Sequence, residues 1–339
     1  AVLAAAVLQG GDLTALTAVA HAPARPEGAE AARLSALVAP GAADALLAEA
    51  PPPVRLDVPD WLLTERADEA AFAALRHRAP LDLRANTLRA APAAAVQALA
   101  AEGVEAVLGP LSPTCLRVVS GARRAARGPA YGDGLIEVQD AASQAAAAFA
   151  DARPGMAVLD LCAGGGGKIL ALGAAAGGQG RFAAYDAAPR RMADLPARAA
   201  RAGLGVEILD DAALDAARRG FDLVFADAPC SGSGAWRRNP DAKWRLTPAA
   251  LAAMTATQDR ILAQALSLVR PGGTVVFATC SFLAAEGEAR LAALAHRMPA
   301  LAETCATAPR LSLRPDPALG DGFFAARLTP SASLVLDGP

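Results

Sequence analysis

Five short, mainly apolar runs between residues 156 and 278 constrain the fold more than any other feature of the chain. Stretches of helical composition separate each run from the next. Such an alternation is typical of parallel strands that are covered on both faces. It predicts an α/β fold with a doubly wound, Rossmann-like sheet, whose ligands bind beyond the carboxyl ends of the strands. The runs are Met156–Leu161, Phe182–Tyr185, Val206–Leu209, Phe221–Ala226 and Thr274–Ala278, and we expect residues 322–328 and 332–336 to add two closing strands.

Proline and a change of pattern divide the chain into three predicted regions. Residues 1–55 are rich in Ala and Leu, and we expect short helices there, ending at the stiff Pro51-Pro52-Pro53 linker. Residues 56–130 predict a small α+β domain, with a helix over 61–78, a strand over 80–88 and two more strands within 104–119. Residues 131–339 predict the doubly wound domain.

The composition argues against several classes of protein. With a net charge of −2, any nucleic-acid site must be a local basic patch. The five cysteines form no CxxC pair and there are three His residues, which argues against a disulfide framework and a metal site. We expect reduced thiols in a cytoplasmic protein. The N-terminal apolar stretch is interrupted at residues 9–12, short of the roughly 20 residues a membrane span needs, so we expect no membrane partner.

A glycine-rich loop follows the first apolar run, where a strand is expected to meet its helix. Glycines let the backbone pass close to a ligand, and a helix N-terminus favours negative charge. A phosphate-binding P-loop fails at two points, because Cys162 stands where Gly is needed and Ile169 where Ser or Thr is needed. A nucleotide-like cofactor and a mere tight turn both remain open. The candidate cofactor residues of the loop are Cys162, Ala163, Gly164, Gly165, Gly166, Gly167 and Lys168.

Asp186 directly follows the second apolar run. An acid at this point can accept hydrogen bonds from ribose hydroxyls. The alternative is a helix N-cap. We favour the ribose role, because the glycine-rich loop lies roughly 20 residues upstream.

Two cysteines follow two other runs, at what should be the same edge of the sheet. Cys230 comes three residues after Asp227, and Cys280 stands between Thr279 and Ser281. A cysteine with a purely structural role is usually buried as a small apolar side chain. Two thiols at two strand ends of the same sheet edge therefore form a candidate pair. The acids Glu286 and Glu288 are interpreted as ordinary residues of the next helix's first turn.

Aromatic and basic side chains crowd the loop after Cys230. Interleaved aromatic rings and cations suit an unstacked base and its phosphates. The alternative is a solvated surface loop with Trp packed underneath. The residues concerned are Trp236, Arg237, Arg238, Lys243, Trp244 and Arg245.

Taken together, these segments resemble the Fmu/Sun/NOP family of RNA cytosine-C5 methyltransferases, over about residues 60–339. The Asp227-Ala-Pro-Cys230-Ser and Thr279-Cys280-Ser pair carries most of the resemblance. Further matching segments are Arg84-Ala-Asn86-Thr87, Glu137-Val-Gln139-Asp140 with Ser143-Gln144, and Asp321-Gly-Phe323-Phe324. Bacterial small-subunit ribosomal RNA enzymes are the most similar members, and residues 1–55 would be a remnant of their domain that is similar to an antitermination factor.

The resemblance implies roles for individual residues. Cys280 would add to C6 of cytosine, and Cys230 would help release the product. Asp227 would hold the base edge, with Lys168 helping to position the base or Asp227. S-adenosylmethionine would be the cofactor, held by residues 162–168, by Asp186 at the ribose, by Asp210 or Asp211 near the adenine, and by Asp227. The implied RNA contacts are Arg84, Asn86, Trp236, Arg237, Arg238 and Lys243.

The resemblance also implies a cytoplasmic monomer that acts on 16S ribosomal RNA, with transfer RNA as the alternative substrate. One departure concerns the loop, where the family's usual Ala-Ala-Pro-Gly-Gly-Lys-Thr reads Ala163-Gly-Gly-Gly-Gly-Lys168-Ile169. We expect this departure to weaken cofactor affinity at worst.

Three other functions compete with this interpretation. A DNA cytosine-C5 methyltransferase would use Cys230 as the attacking thiol, but the second thiol at Cys280 favours the RNA class. A non-catalytic RNA-binding or assembly factor would have no need of an intact Asp227 and Lys168. A nicotinamide-dependent oxidoreductase offers no use for two thiols at strand ends.

Overall fold

The computed structural model describes residues 24, 26–36, 45, 48–66 and 68–330. The chain divides into two compact units between Asp60 and Trp61. The described part of the first unit contains helices α1 (Gly28–Ala36) and α2 (Pro52–Leu56). Most of the predicted N-terminal helices therefore lie outside the described residues.

The second unit begins with a small antiparallel sheet and its helices. Two helices replace the single helix predicted over 61–78, and Asp68 begins the second one by accepting a hydrogen bond from the Ala71 N–H at 3.1 Å. The four strands lie in the order β2-β3-β1-β4. Their buried side is filled by Leu83, Leu116 and Ile136. The elements are α3 (Asp60–Glu65), α4 (Glu69–Ala74), β1 (Asp82–Ala85), α5 (Pro92–Ala101), β2 (Glu105–Leu108), β3 (Cys115–Ser120), α6 (Pro129–Gly132) and β4 (Ile136–Val138).

The rest of the second unit is built on a larger sheet. Its strands are β5 (Ala157–Asp160), β6 (Arg181–Ala184), β7 (Glu207–Ile208), β8 (Phe221–Asp227), β9 (Val269–Thr279), β10 (Arg310–Leu313) and β11 (Phe323–Leu328). Its helices are α7 (Ala141–Phe149), α8 (Gly167–Ala175), α9 (Leu195–Ala202), α10 (Asp211–Ala216), α11 (Ala242–Arg245), α12 (Pro248–Leu268), α13 (Glu288–Arg297) and α14 (Ala302–Thr307). Short 3-10 turns cover Pro189–Met192, Ser233–Arg238, Ala284–Glu286 and Pro299–Leu301.

The large sheet has the order β10-β11-β9-β8-β5-β6-β7 within the described residues. Strands β9, β8, β5, β6 and β7 are parallel, whereas β10 and β11 run antiparallel at one end. The strand order reverses between β5 and β8, which is where a doubly wound sheet opens a ligand crevice. The predicted doubly wound, Rossmann-like α/β fold is confirmed.

Strand β8 shows why the apolar runs are continuous. Leu223 and Phe225 pack into the core on one face of the sheet, and Val224 and Ala226 pack into the core on the other. Side chains alternate between the faces of a strand, so both sets must be apolar when both faces are covered. The same double burial fixes β8 at the centre, beside the site.

The closing strands differ from the prediction in one respect. Strand β11 lies where residues 322–328 were expected, whereas residues 332–336 lie outside the described residues. The strand that pairs with β11 at the sheet edge is β10, which comes earlier in the chain. Its sequence, Arg310-Leu-Ser-Leu313, alternates polar and apolar residues, as expected of an edge strand that is covered on one face.

Candidate active site

The structure brings the two strand-end cysteines together. Strands β8 and β9 are parallel neighbours that pair Asp227 with Ala278, so the loops that follow them leave the sheet side by side. The Sγ atoms of Cys230 and Cys280 lie 3.4 Å apart. Both thiols are partly buried rather than enclosed in the core. The geometry places two nucleophilic sulfurs at the carboxyl edge of the sheet.

A second pair of charged groups lies at the same edge. Lys168, in the first turn of α8, donates from Nζ to Asp227 Oδ2 at 2.7 Å. Its ammonium also lies 5.1 Å from the centre of the Phe323 ring. Burial alone would lower the pKa of Lys168, but the charges of Asp227, Asp160 and Cys280 raise it above the ordinary value. Lys168 is therefore held as a cation.

Asp160 lies directly behind this ion pair. Its carboxyl is fully buried and accepts a hydrogen bond from the Ile169 N–H at 3.1 Å. Burial raises the pKa of Asp160 to about 7, while the charge of Lys168 acts in the opposite direction. Lys168 thus has two carboxyl groups in its surroundings, of which only Asp227 makes the direct contact.

The glycine-rich loop has the conformation that its residues allow. Gly164 and Gly166 have φ values of +50° and +84°, which side chains with a Cβ rarely adopt. A Cβ on Gly166 would also overlap the Leu195 side chain. The loop therefore packs tightly on α9 while its other side lines a cavity of about 380 Å³. That cavity also contacts Gln139, Asp140, Ser143, Arg191, Arg198 and Asp227.

Asp186 is turned toward the loop. Its Oδ2 accepts a hydrogen bond from the Gly164 N–H at 2.9 Å and pairs with Arg191 at 3.0 Å. Its Oδ1 accepts from the Ala188 N–H at 2.9 Å, so the carboxylate also fixes the turn that follows β6. The predicted ribose contact remains a prediction.

The two acids after β7 have different partners. Asp210 accepts a hydrogen bond from the Ala213 N–H at 2.8 Å and caps α10. Asp211 accepts a hydrogen bond from the Tyr185 hydroxyl at 2.8 Å. Because Tyr185 directly precedes Asp186, this hydrogen bond places Asp211 near Asp186 in the fold.

Two residues predicted to contact RNA are buried within the protein. Arg84 donates from Nε to Gln139 Oε1 at 2.8 Å, and burial lowers its pKa to about 10. Asn86 donates from Nδ2 to the carbonyl oxygens of Gly134 and Ala202, both at 2.9 Å. Their hydrogen bonds join the small sheet to the elements around the glycine-rich loop. Both side chains thus have partners within the protein, and their RNA contacts remain a prediction.

The loop after Cys230 is also more buried than predicted. Trp236 is 2% exposed and donates from Nε1 to the Ser231 carbonyl at 3.1 Å. Lys243 is 3% exposed, whereas Trp244 is 54% exposed. The alternative in which one Trp packs beneath the loop therefore describes Trp236, and Trp244 carries the exposed ring.

The paired arginines of this loop hold a distant acid. Arg237 and Arg238 each donate from Nε to Asp321 at 2.6 Å, one to each carboxylate oxygen. Arg237 is buried, whereas Arg238 is half-exposed and reaches Asp140 at 2.8 Å. Arg238 thus lies near the cavity that Asp140 lines, and among the six predicted RNA contacts it is the most exposed basic side chain.

Glu286 has a role that the sequence did not predict. It belongs to a 3-10 turn rather than to α13, and it is fully buried. Its carboxylate accepts from the Ser231 N–H at 2.8 Å, from the Ser231 hydroxyl, and from Gln258 Nε2 at 3.0 Å. The interpretation of Glu286 as an ordinary first-turn acid was wrong. It holds the residue next to Cys230.

The doubly wound sheet, the glycine-rich loop and the acids beyond the strand ends define the class of Rossmann-fold enzymes that bind a nucleoside cofactor. A profile of the family described as 16S rRNA methyltransferase RsmB/F matches residues 147–329. The ferredoxin-like domain of RsmF/B-like methyltransferases matches residues 59–123. The chain belongs to this RsmB/F methyltransferase family.

Individual relatives agree with this assignment. Ribosomal RNA small subunit methyltransferase B of Sodalis glossinidius is 36% identical over 261 residues, which cover 74% of this chain and 59% of that protein. The Citrobacter koseri protein of the same name is 32% identical, over 84% of this chain and 69% of its own length. A methyltransferase homologue from Pyrococcus horikoshii shares the fold, with a TM-score of 0.67, 22% identity, and coverage of 82% of this chain and 97% of that structure. The chain thus spans less than two thirds of the Sodalis relative.

Family membership makes S-adenosylmethionine the cofactor, and the residues present fit it. The cofactor carries a positive sulfonium, a ribose and an amino-acid carboxylate. The cavity offers a loop without side chains for close backbone approach, and Asp227 for the positive charge. A Cβ on Gly165 would lie 2.8 Å from the Arg198 guanidinium, so glycine keeps this side of the cavity open.

None of the described helices is both long and apolar enough to cross a membrane.

Proposed function

We propose that this protein transfers a methyl group from S-adenosylmethionine to C5 of a cytosine in RNA, with Cys280 as the nucleophile. The observation that carries the proposal is that four reactive or charged side chains lie together at one edge of the sheet. Two thiols 3.4 Å apart and the Lys168–Asp227 ion pair lie at the edge of the sheet that carries the glycine-rich loop. The relatives named above are small-subunit ribosomal RNA methyltransferases, and they support 16S ribosomal RNA as the substrate.

C5 of cytosine is a poor nucleophile and must be activated. In the proposed reaction the Cys280 sulfur forms a bond to C6, and the electrons of the C5–C6 double bond move to C5. Attack by sulfur requires the thiolate. Lys168 provides a fixed positive charge that interacts with Cys280. When bound, S-adenosylmethionine supplies an electrophilic methyl group that the activated C5 can take.

Asp227 is proposed to hold the edge of the cytosine. Its carboxylate can pair with the N3–N4 edge of the base, where charge changes as C6 is attacked. The contact with Lys168 at 2.7 Å fixes the orientation of the Asp227 carboxylate before the base arrives. Lys168 is thus proposed as a positioning residue for Asp227.

Product release requires two bonds to break. A base removes the proton from C5, the C5–C6 double bond re-forms, and the Cys280 sulfur leaves C6. Cys230 is proposed to assist this release, since its sulfur lies 3.4 Å from the sulfur that must leave. The target base must be unstacked to reach the sulfur, and we propose that Arg238 and the exposed Trp244 receive the neighbouring nucleotides.

Trapping the covalent adduct tests this proposal. RNA that contains 5-fluorocytosine cannot lose the group at C5, so the protein should remain attached to it on a denaturing gel. The adduct should be lost in Cys280→Ala and retained in Cys230→Ala, with Cys305→Ala as the control for a buried cysteine elsewhere. The opposite pattern would make Cys230 the nucleophile, as in a DNA cytosine-C5 methyltransferase.

The substrate needs a separate experiment. Bisulfite sequencing of total RNA from a deletion strain should reveal one ribosomal cytosine that loses its methyl group. A loss confined to a transfer RNA would establish the alternative substrate. If every site stays methylated, the proposal is refuted.

We further propose that the protein acts in the cytoplasm as a monomer.

A further inference from the structure

The Cys230 and Cys280 sulfurs lie close enough together to form a bond with each other, in addition to their proposed roles in methyl transfer. The two sulfurs lie 3.4 Å apart, and a disulfide bond is about 2.0 Å long. A change of roughly 1.4 Å in the sulfur separation is within reach of side-chain rotation when the backbones are already close. We propose that the two cysteines form a peroxide-sensitive dithiol, which a hydroperoxide oxidises to a disulfide and a small thiol reduces again.

The backbones on both sides of the pair are already tied together. The Ala228 N–H donates to the Ala278 carbonyl at 2.8 Å, and the Gly234 N–H donates to the Cys280 carbonyl at 3.0 Å. These bonds lie before and after Cys230 and hold its loop against the Cys280 loop. The disulfide therefore requires little movement of the main chain.

Side chains reinforce the same arrangement. The hydroxyls of Ser233 and Ser281 are 2.7 Å apart, and both residues are buried. Glu286 fixes Ser231 through its N–H and its hydroxyl. The loops are thus connected at the residues that directly follow each cysteine, which keeps the sulfurs within reach of one another.

The first oxidation step belongs to Cys280. Peroxides react with thiolates, and Lys168 holds a positive charge at the edge of the sheet where Cys280 lies. The Cys280 thiolate attacks one oxygen of hydrogen peroxide, the O–O bond breaks, and the other oxygen leaves as hydroxide, which becomes water with the proton that the thiol released. The product is a sulfenic acid on Cys280, with sulfur oxidised by two electrons and the peroxide reduced.

The second step belongs to Cys230. The hydrogen bond to Cys280, burial and the charge of Cys280 raise the pKa of Cys230 well above its ordinary value. A sulfenic acid carries no charge, so the Cys280 charge that raises the pKa of Cys230 no longer opposes its deprotonation at this stage. The Cys230 sulfur then attacks the Cys280 sulfur, the S–O bond breaks, and the hydroxide leaves as water with the Cys230 proton.

The disulfide itself does not depend on the proposed function, but its consequence does. A Cys280 sulfur engaged in a disulfide cannot add to C6, so methyl transfer should stop until a thiol reduces the bond. Formation of the disulfide would also prevent further oxidation of Cys280 to the irreversible sulfinic acid. The pair would act as a protected, reversible switch.

Peptide mapping by mass spectrometry tests this proposal on the full chain. The purified protein is treated with hydrogen peroxide, free thiols are alkylated, and the digest is searched for linked peptides. We expect a peptide pair that joins Cys230 to Cys280 and that disappears after dithiothreitol. Methyl transfer should fall in proportion to the linked fraction and recover with reduction. In Cys230→Ser, dimedone should trap the sulfenic acid on Cys280, whereas Cys305→Ser should give the same link as the unchanged protein.

Two results would overturn the proposal. One is conversion of Cys280 to sulfinic acid in the unchanged protein without any link to Cys230. The other is a dominant link from either cysteine to Cys162. The mapping works whether or not the reduced protein methylates RNA. A link without methyl transfer would therefore refute the proposed function alone, and methyl transfer without a link would refute the switch alone.

Discussion

Replacing Asp160 by asparagine should stabilise the protein at neutral pH, because this carboxyl is fully buried next to the site. Burial raises its pKa to about 7 from an ordinary value of 3.8, the charge of Lys168 opposes that rise, and the charge of Asp227 adds to it. Asparagine keeps an oxygen for the Ile169 N–H, which lies 3.1 Å from the carboxylate, and it carries no charge.

The sign and size of the effect follow from proton binding. Between pH 3.8 and about 7 the folded protein keeps a proton on Asp160 that the unfolded chain has released. The contribution of this group to the free energy of unfolding therefore falls as the pH rises through that window, and the loss is complete above it. A window of about three pH units at about 1.36 kcal/mol each gives an upper bound of about 4 kcal/mol.

Urea unfolding of both proteins across this pH window measures the effect. The free energy of unfolding of Asp160→Asn minus that of the unchanged protein should rise by about 2–4 kcal/mol from about pH 4 to about pH 7.5. Taking the difference cancels groups common to both proteins, including Asp140, whose pKa burial also raises. Asp210→Asn, which keeps the oxygen that caps α10, is the control for loss of a carboxylate elsewhere. A difference that stays constant with pH, or that falls, would refute the reasoning.

Three further substitutions test the contacts around the site. Glu286→Gln removes the charge from a carboxylate that accepts three hydrogen bonds, so it should cost about 1–3 kcal/mol in urea unfolding. It should also slow adduct formation while leaving KM for RNA unchanged. Lys168→Met leaves Asp227 without its cation and should cost about 3–5 kcal/mol at neutral pH, measured by the same unfolding assay. Asn86→Ala leaves two carbonyls unpaired and should cost about 1–3 kcal/mol, with RNA affinity in filter binding unchanged. Weaker RNA binding by a folded Asn86→Ala protein would contradict a purely structural role for Asn86.

The large sheet could be predicted because its signal is local. In β8 the residues Val224 and Phe225 are buried in opposite cores, so the continuous apolar run itself reports that both faces are covered. The same logic placed Cys230 and Cys280 at one edge of the sheet. Their separation of 3.4 Å could not be derived from the sequence, since it depends on hydrogen bonds between the two loops.

The contacts that the sequence did not predict join residues that are far apart in the chain. Arg237 was predicted to contact RNA, and the structure adds a partner within the protein, Asp321, which lies 84 residues further along the chain. Glu286 was interpreted as an ordinary first-turn acid of the next helix, but its partner Ser231 lies 55 residues earlier. A charged residue is usually exposed unless it is paired. Local patterns therefore favour exposure, and only the folded chain reveals the pairing. Strand β10 was missed for a related reason, because its alternating sequence becomes a strand only against β11.

The ion pairs that Arg237 and Arg238 form with Asp321 connect these distant contacts to the proposed chemistry. Arg237 and Arg238 hold Asp321 just before β11, and β11 pairs with β9, the strand that leads to Cys280. The loop that carries Cys230 is thus fixed at one end by β8 and at the other by the neighbour of β9. A nucleophile and a second thiol that must act on the same adduct need a constant separation, and cation–carboxylate contacts inside the protein provide it more rigidly than a solvated loop would. Arg237 and Arg238, which the sequence assigns to RNA, therefore also help to hold the two sulfurs in contact, as both the release step and the proposed disulfide require.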